Sequence, residues 1–248
     1  MFLRYSIAHF RSIIKVVIID IQMSQKLTET KIKEGKIIYL IRHGESQGQA
    51  AGSRGTPRTD PSLLDADLTR KGRNQANEID SLLGEEVMSS IQLIVSSPLT
   101  RALNTALVGF RSRPQDCNII VRYDIREVGS KIPENIPRPI KDVLKDLSYL
   151  PRIDELDYHT FKPEEWPPSN NVSCGSKKKK RVISHSRHTV NDSMRNFLLW
   201  LSQERAERTI AVVCHYNVIR SMLGPAIHPT NGIPIACQLS DDGELYVI

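Results

Sequence analysis

Four short apolar runs, separated by helical patterns, constrain the fold of this chain more than any other feature. The runs span residues 36–41, 91–95, 118–121 and 209–213. A continuous apolar run of this length is typical of a strand buried on both faces. Amphipathic patterns over 69–83, 98–106 and 190–201 indicate helices between and beside them. This alternation predicts a three-layer α/β/α sandwich with a mostly parallel central sheet.

The predicted sandwich accounts for residues 36–248, which we interpret as one domain with an insertion. Residues 133–168 hold seven of the chain's 14 prolines, and we interpret about 128–186 as an inserted, largely irregular cap. The apolar segments 233–239 and 244–248 flank Asp242-Gly243 and predict a terminal hairpin.

Residues 1–35 are predicted to be an N-terminal extension. Within it, residues 1–22 carry three basic residues and no acid before Asp20, a pattern that transit peptides share. A disordered tail and an extra strand are the alternatives, and Met23 is an alternative start. The apolar run at 13–19 is too short to span a membrane, so no membrane span is predicted.

The distribution of charge argues against nucleic-acid binding, and the cysteine spacing argues against a metal site. The formal net charge is +6, but five basic residues at 177–181 and the first 22 residues supply it, and the rest of the chain is near neutral. No nucleic-acid-binding face is therefore expected. The four cysteines form no Cys-x-x-Cys pair, and no metal or other cofactor is predicted.

The same features bear on localisation. Unpaired cysteines fit a reducing compartment, which favours the cytoplasm. Organellar targeting by residues 1–22 and a nuclear signal at 177–181 are the alternatives.

Polar clusters directly follow three of the predicted strands. They are Arg-His-Gly-Glu-Ser at 42–46, Ser-Ser-Pro-Leu-Thr-Arg-Ala at 96–102 and Cys-His-Tyr-Asn-Val-Ile-Arg at 214–220. Because ligands of parallel sheets bind beyond the carboxyl ends of the strands, we expect the three clusters to converge there. Two histidines, His43 and His215, and at least two arginines would then share one site.

Such a set suits an anionic phosphoryl group. Arginine donates paired hydrogen bonds to phosphate oxygens and keeps its charge, and a neutral imidazole is a competent nucleophile near neutral pH. Gly44 would let the backbone approach the substrate, and a helix that began near Gly44 would add amide donors. Taken alone, Arg101 is more typical of a helix surface and His215 of a protein core.

Four motifs occur along the chain in a fixed order. They are Leu-Ile-Arg-His-Gly-Glu-Ser at 40–46, Asp-Leu-Thr at 67–69 with Gly72, Gln75 and Ala76, Ser-Ser-Pro-Leu at 96–99 with Arg101, Ala102, Thr105 and Ala106, and Val-Cys-His at 213–215 with Arg220. This set resembles the histidine phosphatase superfamily, also called the phosphoglycerate mutase-like family. The resemblance covers about 36–127 and 187–248.

The resemblance implies a two-step, metal-independent hydrolysis of a small phosphorylated substrate. His43 would attack phosphorus and become phosphohistidine. Arg42, Arg101 and His215 would bind the phosphoryl oxygens and their growing charge. A carboxylate would protonate the leaving oxygen and then activate water, and Glu127 stands where the family takes that acid.

Further residues follow from the same resemblance. Gly44, Ser46 and Gln49 are predicted to contact the substrate, although the family commonly has Asn where Gln49 stands. If Glu127 is an ordinary exposed glutamate, Glu134 and Asp124 are the next candidates for the acid.

Three other functions remain open at this point. The segment after Glu127 lacks the pattern of the mutases, and Ser-His-Ser-Arg at 184–187 replaces a common Gly-Glu-Ser, so a phosphoglycerate mutase-type phosphotransferase is the alternative to a phosphatase. A non-catalytic protein that binds phosphorylated ligands is another. Cys214 and Arg220 also form Cys-x5-Arg, the signature of cysteine-dependent phosphatases, but the loop between them has no glycine.

Overall fold

The computed structural model of the protein describes residues 35–57, 59–129, 132–158 and 187–248. The predictions made for residues 1–22, for Met23, for the basic run at 177–181 and for about half of the cap lie outside these residues. No helix in the described ranges is both long and apolar enough to cross a membrane.

The fold is built on one seven-stranded sheet. Its strands are β1 (Lys36–Arg42), β2 (Leu93–Ser96), β3 (Asn118–Val121), β4 (Leu156–Asp157), β5 (Thr209–Cys214), β6 (Pro234–Leu239) and β7 (Leu245–Val247). The spatial order is β4-β3-β2-β5-β1-β6-β7, and the first five strands are parallel. β6 runs antiparallel to β1 and pairs with β7 in the predicted terminal hairpin.

Helices cover both faces of the sheet. They are α1 (Gln47–Ser53), α2 (Arg70–Ser90), α3 (Thr100–Gly109), α4 (Ile140–Asp146), α5 (Arg187–Leu199), which continues into a π-helical turn (Trp200–Glu204), and α6 (Tyr216–Leu223). Short 3-10 turns lie at Pro61–Leu63, Tyr123–Ile125, Pro133–Asn135 and Ile153–Glu155.

Side chains point alternately to the two faces of the sheet along each strand, and this divides the core between the two helical layers. Ile38 and Leu40 of β1 pack with α5 and α6, whereas Ile41 packs with α2, α3 and α4. Successive side chains of a strand point to opposite faces, so a run that is apolar throughout must be covered on both sides. The prediction of a three-layer sandwich is thereby confirmed.

Two helices differ in extent from the prediction. Helix α2 continues past Leu83 to Ser90. Gly84 adopts a φ of 77° and kinks the helix at this point, but the helix resumes after it. Helix α3 begins at Thr100, so Pro98 precedes the helix instead of lying in its first turn. The carboxylate of Asp65 caps α3 from a distant loop, accepting hydrogen bonds from Thr100 N at 3.0 Å and Thr100 Oγ1 at 2.8 Å.

The described part of the inserted segment is more regular than expected. It contains α4 and the edge strand β4, whose pairing with β3 extends the parallel sheet. Its prolines set where elements begin, as Pro133 starts a 3-10 turn and Pro139 precedes α4. The interpretation of this segment as largely irregular is therefore wrong for residues 132–158.

The strand register aligns the ends of the three central strands. Arg42 at the end of β1 pairs with Cys214 at the end of β5, and Ser96 at the end of β2 pairs with Val213. The residues that follow these strands consequently emerge at one edge of the sheet, as the sequence predicts.

Candidate active site

A cavity of about 140 Å³ lies at the carboxyl edge of the parallel strands. Six predicted site residues line it, namely Arg42, His43, Ser46, Gln49, Arg101 and Glu127. Six further described residues line it, namely Val128, Ile132, Glu134, Asn135, Tyr216 and Asn217. The three polar clusters therefore converge on one concave site.

His43 is held at the end of β1 in a defined tautomer. Its amide donates to Cys214 O at 3.0 Å, which extends the β1–β5 ladder by one residue. Its Nδ1 lies 2.7 Å from Gly44 O, and since a carbonyl only accepts, Nδ1 carries the proton. Nε2 is then unprotonated and accepts a hydrogen bond from Arg101 Nε at 3.1 Å.

The environment keeps this imidazole neutral. Burial lowers the pKa of His43 well below its ordinary value, and the nearby charge of Arg101 lowers it further. A neutral ring with an unprotonated Nε2 is the form that a nucleophilic histidine requires.

His215 lies beside His43, with the two ring centroids 5.1 Å apart. Its Nε2 is 2.7 Å from Ser97 Oγ, and its Nδ1 has no hydrogen-bond partner among the described residues. Burial, and then the charge of Arg101, lowers the pKa of His215 well below its ordinary value. His215 is fully buried between β5 and α6 and belongs to the same site.

Arg101 is fixed in the first turn of α3 and is 1% exposed. Besides His43, its guanidinium donates to the carbonyl of Glu134 and, at 2.9 Å, to Asn135 Oδ1. The turn Pro133–Asn135 therefore holds this cation in place within the cavity wall.

Arg42 approaches the cavity from the end of β1. Its Nη1 donates to Pro229 O at 3.1 Å, and its guanidinium carbon lies 4.9 Å from the centre of the Tyr216 ring. Its Nε has no partner among the described residues. Two guanidinium groups thus serve one small cavity, which fits a doubly charged anion.

Glu127 follows the 3-10 turn after β3. Its Oε1 accepts from Val128 N at 2.9 Å, and its Oε2 accepts from Asn217 N at 3.4 Å. Burial raises the pKa of Glu127 despite these hydrogen bonds and the charge of Arg101. A carboxyl group with a raised pKa is suited to donate a proton near neutral pH.

Gly44 has a packing role instead of lining the cavity. A Cβ at this position would lie 2.2 Å from the carbonyl oxygen of Gly72 in α2, so only glycine fits. Its amide donates to Thr105 Oγ1 at 3.0 Å. The sequence analysis expected amide donors from a helix that began near Gly44. Helix α1 begins at Gln47 instead, so it supplies none at Gly44.

Ser46 and Gln49 form a capping box at the start of α1. Ser46 Oγ accepts from Gln49 N at 3.1 Å, and Gln49 Oε1 accepts from Ser46 N at 3.1 Å. Ser46 Oγ also donates to Glu134 Oε2 at 3.1 Å. Asn231 joins this group by donating to His43 O at 2.6 Å and to Gln49 Oε1 at 3.2 Å.

Sequence reasoning missed Asn135 and Asn231, gave no individual role to Tyr216 and Asn217, and considered Glu134 only as a substitute acid. Tyr216 and Asn217 directly follow His215, and their place after β5 is the signal that brings their cluster to the site. Asn135 and Asn231 carry no local signal, since long-range packing alone brings them to the site. Asp124 does not line the cavity, and its carboxylate is paired with Arg122.

In the described ranges, no group of three or more histidine, cysteine or acidic side chains is arranged to hold a metal ion. The metal independence expected from the sequence stays a prediction.

A family model settles the affiliation of the chain. The model of the histidine phosphatase superfamily (branch 1) matches residues 38–246. The chain belongs to the histidine phosphatase superfamily. As a member of the histidine phosphatase superfamily, it is an enzyme of the phosphatase and phosphotransferase class.

Solved structures agree with the superfamily fold. A candidate alpha-ribazole-5'-P phosphatase from Escherichia coli is 19% identical, with a TM-score of 0.54 over 86% of this chain and 95% of that one. The alpha-ribazole phosphatase from Shigella flexneri is 18% identical, with a TM-score of 0.51 over 86% and 94%. An ecdysone phosphate phosphatase from Bombix mori is 16% identical, with a TM-score of 0.50 over 82% and 88%. No curated protein sequence matches the chain.

Proposed function

We propose that this superfamily member is a metal-independent phosphomonoester hydrolase that acts through a phosphohistidine on His43. The observation that carries the proposal is the buried neutral His43, whose unprotonated Nε2 meets Arg101 at 3.1 Å in a cavity lined by a second arginine. A small phosphorylated substrate is the ligand that this charge and size favour.

In the first step, the phosphate displaces the hydrogen bond between Arg101 and His43 and takes the arginine donors for its own oxygens. The freed Nε2 lone pair then attacks phosphorus in line as the bond to the leaving oxygen breaks. Arg42, Arg101 and His215 stabilise the negative charge on the remaining oxygens. Glu127 donates its proton to the leaving alcohol.

In the second step, the same carboxylate acts as a base. Glu127 takes a proton from a water molecule, whose oxygen attacks phosphorus while the phosphorus–nitrogen bond breaks. Inorganic phosphate leaves, and His43 returns to its neutral form with Glu127 protonated again.

The test of this function is hydrolysis of an aryl phosphate such as 4-nitrophenyl phosphate with and without a chelator. Turnover that is unaffected by the chelator supports the proposal. A folded protein that binds phosphate without turnover would favour the non-catalytic alternative. Transfer to an acceptor alcohol that outpaces hydrolysis would favour the phosphotransferase alternative.

Cys214→Ser is expected to keep most of the activity. Cys214 is fully buried in the core beneath α5 and α6 and does not line the cavity. Burial strongly raises the pKa of Cys214, which disfavours a thiolate nucleophile. We expect kcat/KM for 4-nitrophenyl phosphate within about threefold of the wild type, since the thiol takes no part in catalysis. A variant that folds by circular dichroism but is inactive would support the cysteine-phosphatase alternative.

Asn135→Ala is expected to lower kcat/KM by about 10- to 10²-fold, the cost of a small displacement of catalytic groups. Asn135 is 4% exposed, accepts from Arg101 Nη2 at 2.9 Å and donates to Val128 O at 2.8 Å. It therefore joins the arginine of the phosphate site to the segment that carries Glu127. The control is Asn118→Ala, at the exposed start of β3. If Asn135→Ala and Asn118→Ala have equal activities, this positioning role is wrong.

A further inference from the structure

Asp65 is a buried carboxylate to which the proposed mechanism gives no role. It lies between the 3-10 turn Pro61–Leu63 and α2, is 1% exposed and has a φ of 44°. This left-handed backbone is uncommon for a residue other than glycine, and it persists only where the surrounding structure fixes it. The contacts of Asp65 consequently indicate what it does.

The carboxylate of Asp65 holds the start of α3, where Arg101 lies. It accepts hydrogen bonds from Thr100 N at 3.0 Å and from Thr100 Oγ1 at 2.8 Å. Thr100 directly precedes Arg101, so these two bonds fix the backbone from which the Arg101 side chain extends. A displaced carboxylate would therefore move the guanidinium relative to His43, whose Nε2 lies 3.1 Å from Arg101 Nε.

The backbone of Asp65 holds the turn that receives the same guanidinium. Asp65 N donates to Pro133 O at 3.1 Å. The next two residues of that turn accept from Arg101, Glu134 through its carbonyl oxygen and Asn135 through its Oδ1 at 2.9 Å. Asp65 thus fixes both the helix that carries the Arg101 side chain and the turn that binds its far end.

The negative charge of Asp65 is also directed at Arg101. Burial raises the pKa of Asp65 to about 6, against the hydrogen bonds from Thr100 and the charges of Arg101 and Arg138. An asparagine or a serine would cap α3 without this cost of desolvation. What the charge adds is attraction for two cations, Arg101 on α3 and Arg138 ahead of α4, whose Nε lies 3.7 Å from Asp65 Oδ2.

We propose that Asp65 is a positioning residue that fixes the guanidinium of Arg101 for the phosphoryl group, through the start of α3 and through the turn Pro133–Asn135. The inference rests on the proposed function, in which Arg101 binds a phosphoryl oxygen. Asp65 does not line the cavity, so it acts on the reaction without touching the substrate. A displaced guanidinium fits the bound phosphate and the transition state less well.

The test uses Asp65→Asn, which keeps the shape of the side chain and an oxygen for Thr100 N but removes the charge and the second acceptor. We expect kcat/KM for 4-nitrophenyl phosphate to fall by about 10- to 10²-fold, and the inhibition constant of inorganic phosphate to rise, because both anions would bind Arg101. The matched control is Asp142→Asn, which removes an exposed acid from the first turn of α4. It should change both values by less than about twofold.

A nuclear magnetic resonance measurement separates positioning from a general loss of stability. The Nε–Hε resonance of Arg101, assigned by its absence in Arg101→Lys, reports the hydrogen bond to His43 Nε2. We expect this resonance to shift in Asp65→Asn and to keep its wild-type position in Asp142→Asn. An unshifted Arg101 resonance in folded Asp65→Asn would overturn the proposal, whatever the rate of that variant.

If Asp65→Asn does not fold, Thr100→Val provides a milder change, since it removes the hydrogen bond to Asp65 Oδ2 and keeps the one from Thr100 N. It should lower kcat/KM and shift the Arg101 resonance, and an unshifted resonance would equally overturn the proposal. If the wild type hydrolyses no aryl phosphate, the proposed function fails. The resonance of Arg101 requires no turnover, so it still decides whether Asp65 positions the guanidinium.

Discussion

Glu127→Gln is expected to slow the hydrolysis of alkyl phosphates by about 10²–10⁴-fold, the usual contribution of a positioned acid or base. An alkoxide is a poor leaving group and needs a proton as its bond to phosphorus breaks. Nitrophenolate leaves without one, so the first step with 4-nitrophenyl phosphate should be much less affected. Single-turnover kinetics on both substrates would measure this difference directly.

Glu127→Gln should also change the level of phosphoenzyme and the pH profile. Because water still needs a base in the second step, phosphoenzyme should accumulate in Glu127→Gln when nitrophenyl phosphate is the substrate. Burial raises the pKa of Glu127, so the acid form persists above its ordinary range, and the alkaline limb of the wild-type pH profile should disappear in the variant. Asp124→Asn is the control, since this carboxylate is paired with Arg122. Small and equal losses on both substrates would show that Glu127 is only a neighbour of the site.

His43→Ala is expected to abolish hydrolysis, with a loss of about 10⁴- to 10⁶-fold, because the variant lacks the imidazole on which the proposed covalent intermediate forms. Burial and the charge of Arg101 lower the pKa of His43. Protonation of this nucleophile should therefore limit wild-type activity only when the pH falls well below the ordinary pKa of histidine. The control is His228→Ala, an exposed histidine whose Nδ1 lies 2.9 Å from Tyr216 OH. Appreciable activity in a folded His43→Ala protein would exclude the histidine mechanism.

The sandwich and the centre of the site could be predicted because both depend on local patterns. A strand such as β1 is a continuous apolar run, and Arg42 and His43 follow it without an intervening loop. Parallel pairing then aligns the strand ends, so the residues after β1, β2 and β5 meet without further information from the chain.

The rest of the site depends on contacts between segments that are distant in sequence. The turn Pro133–Asn135 reaches Arg101 across more than 30 residues, and a backbone hydrogen bond from Asp65 N to Pro133 O helps to hold it. Proline spacing indicates that such a segment turns, but not which surface it packs on. The same limit applies to Gly44, whose need for glycine comes from the carbonyl of Gly72 and not from the substrate.

The most direct test of the phosphohistidine mechanism is rapid-quench labelling with a ³²P-phosphomonoester. The phosphohistidine mechanism predicts one protein-bound phosphate that is stable in alkali, is lost in acid, maps to His43 and forms at least as fast as turnover. The label should be absent from His43→Ala and should persist longer in Glu127→Gln. An active enzyme without a bound label, or a label that is stable in acid or maps to another residue, would contradict the phosphohistidine mechanism.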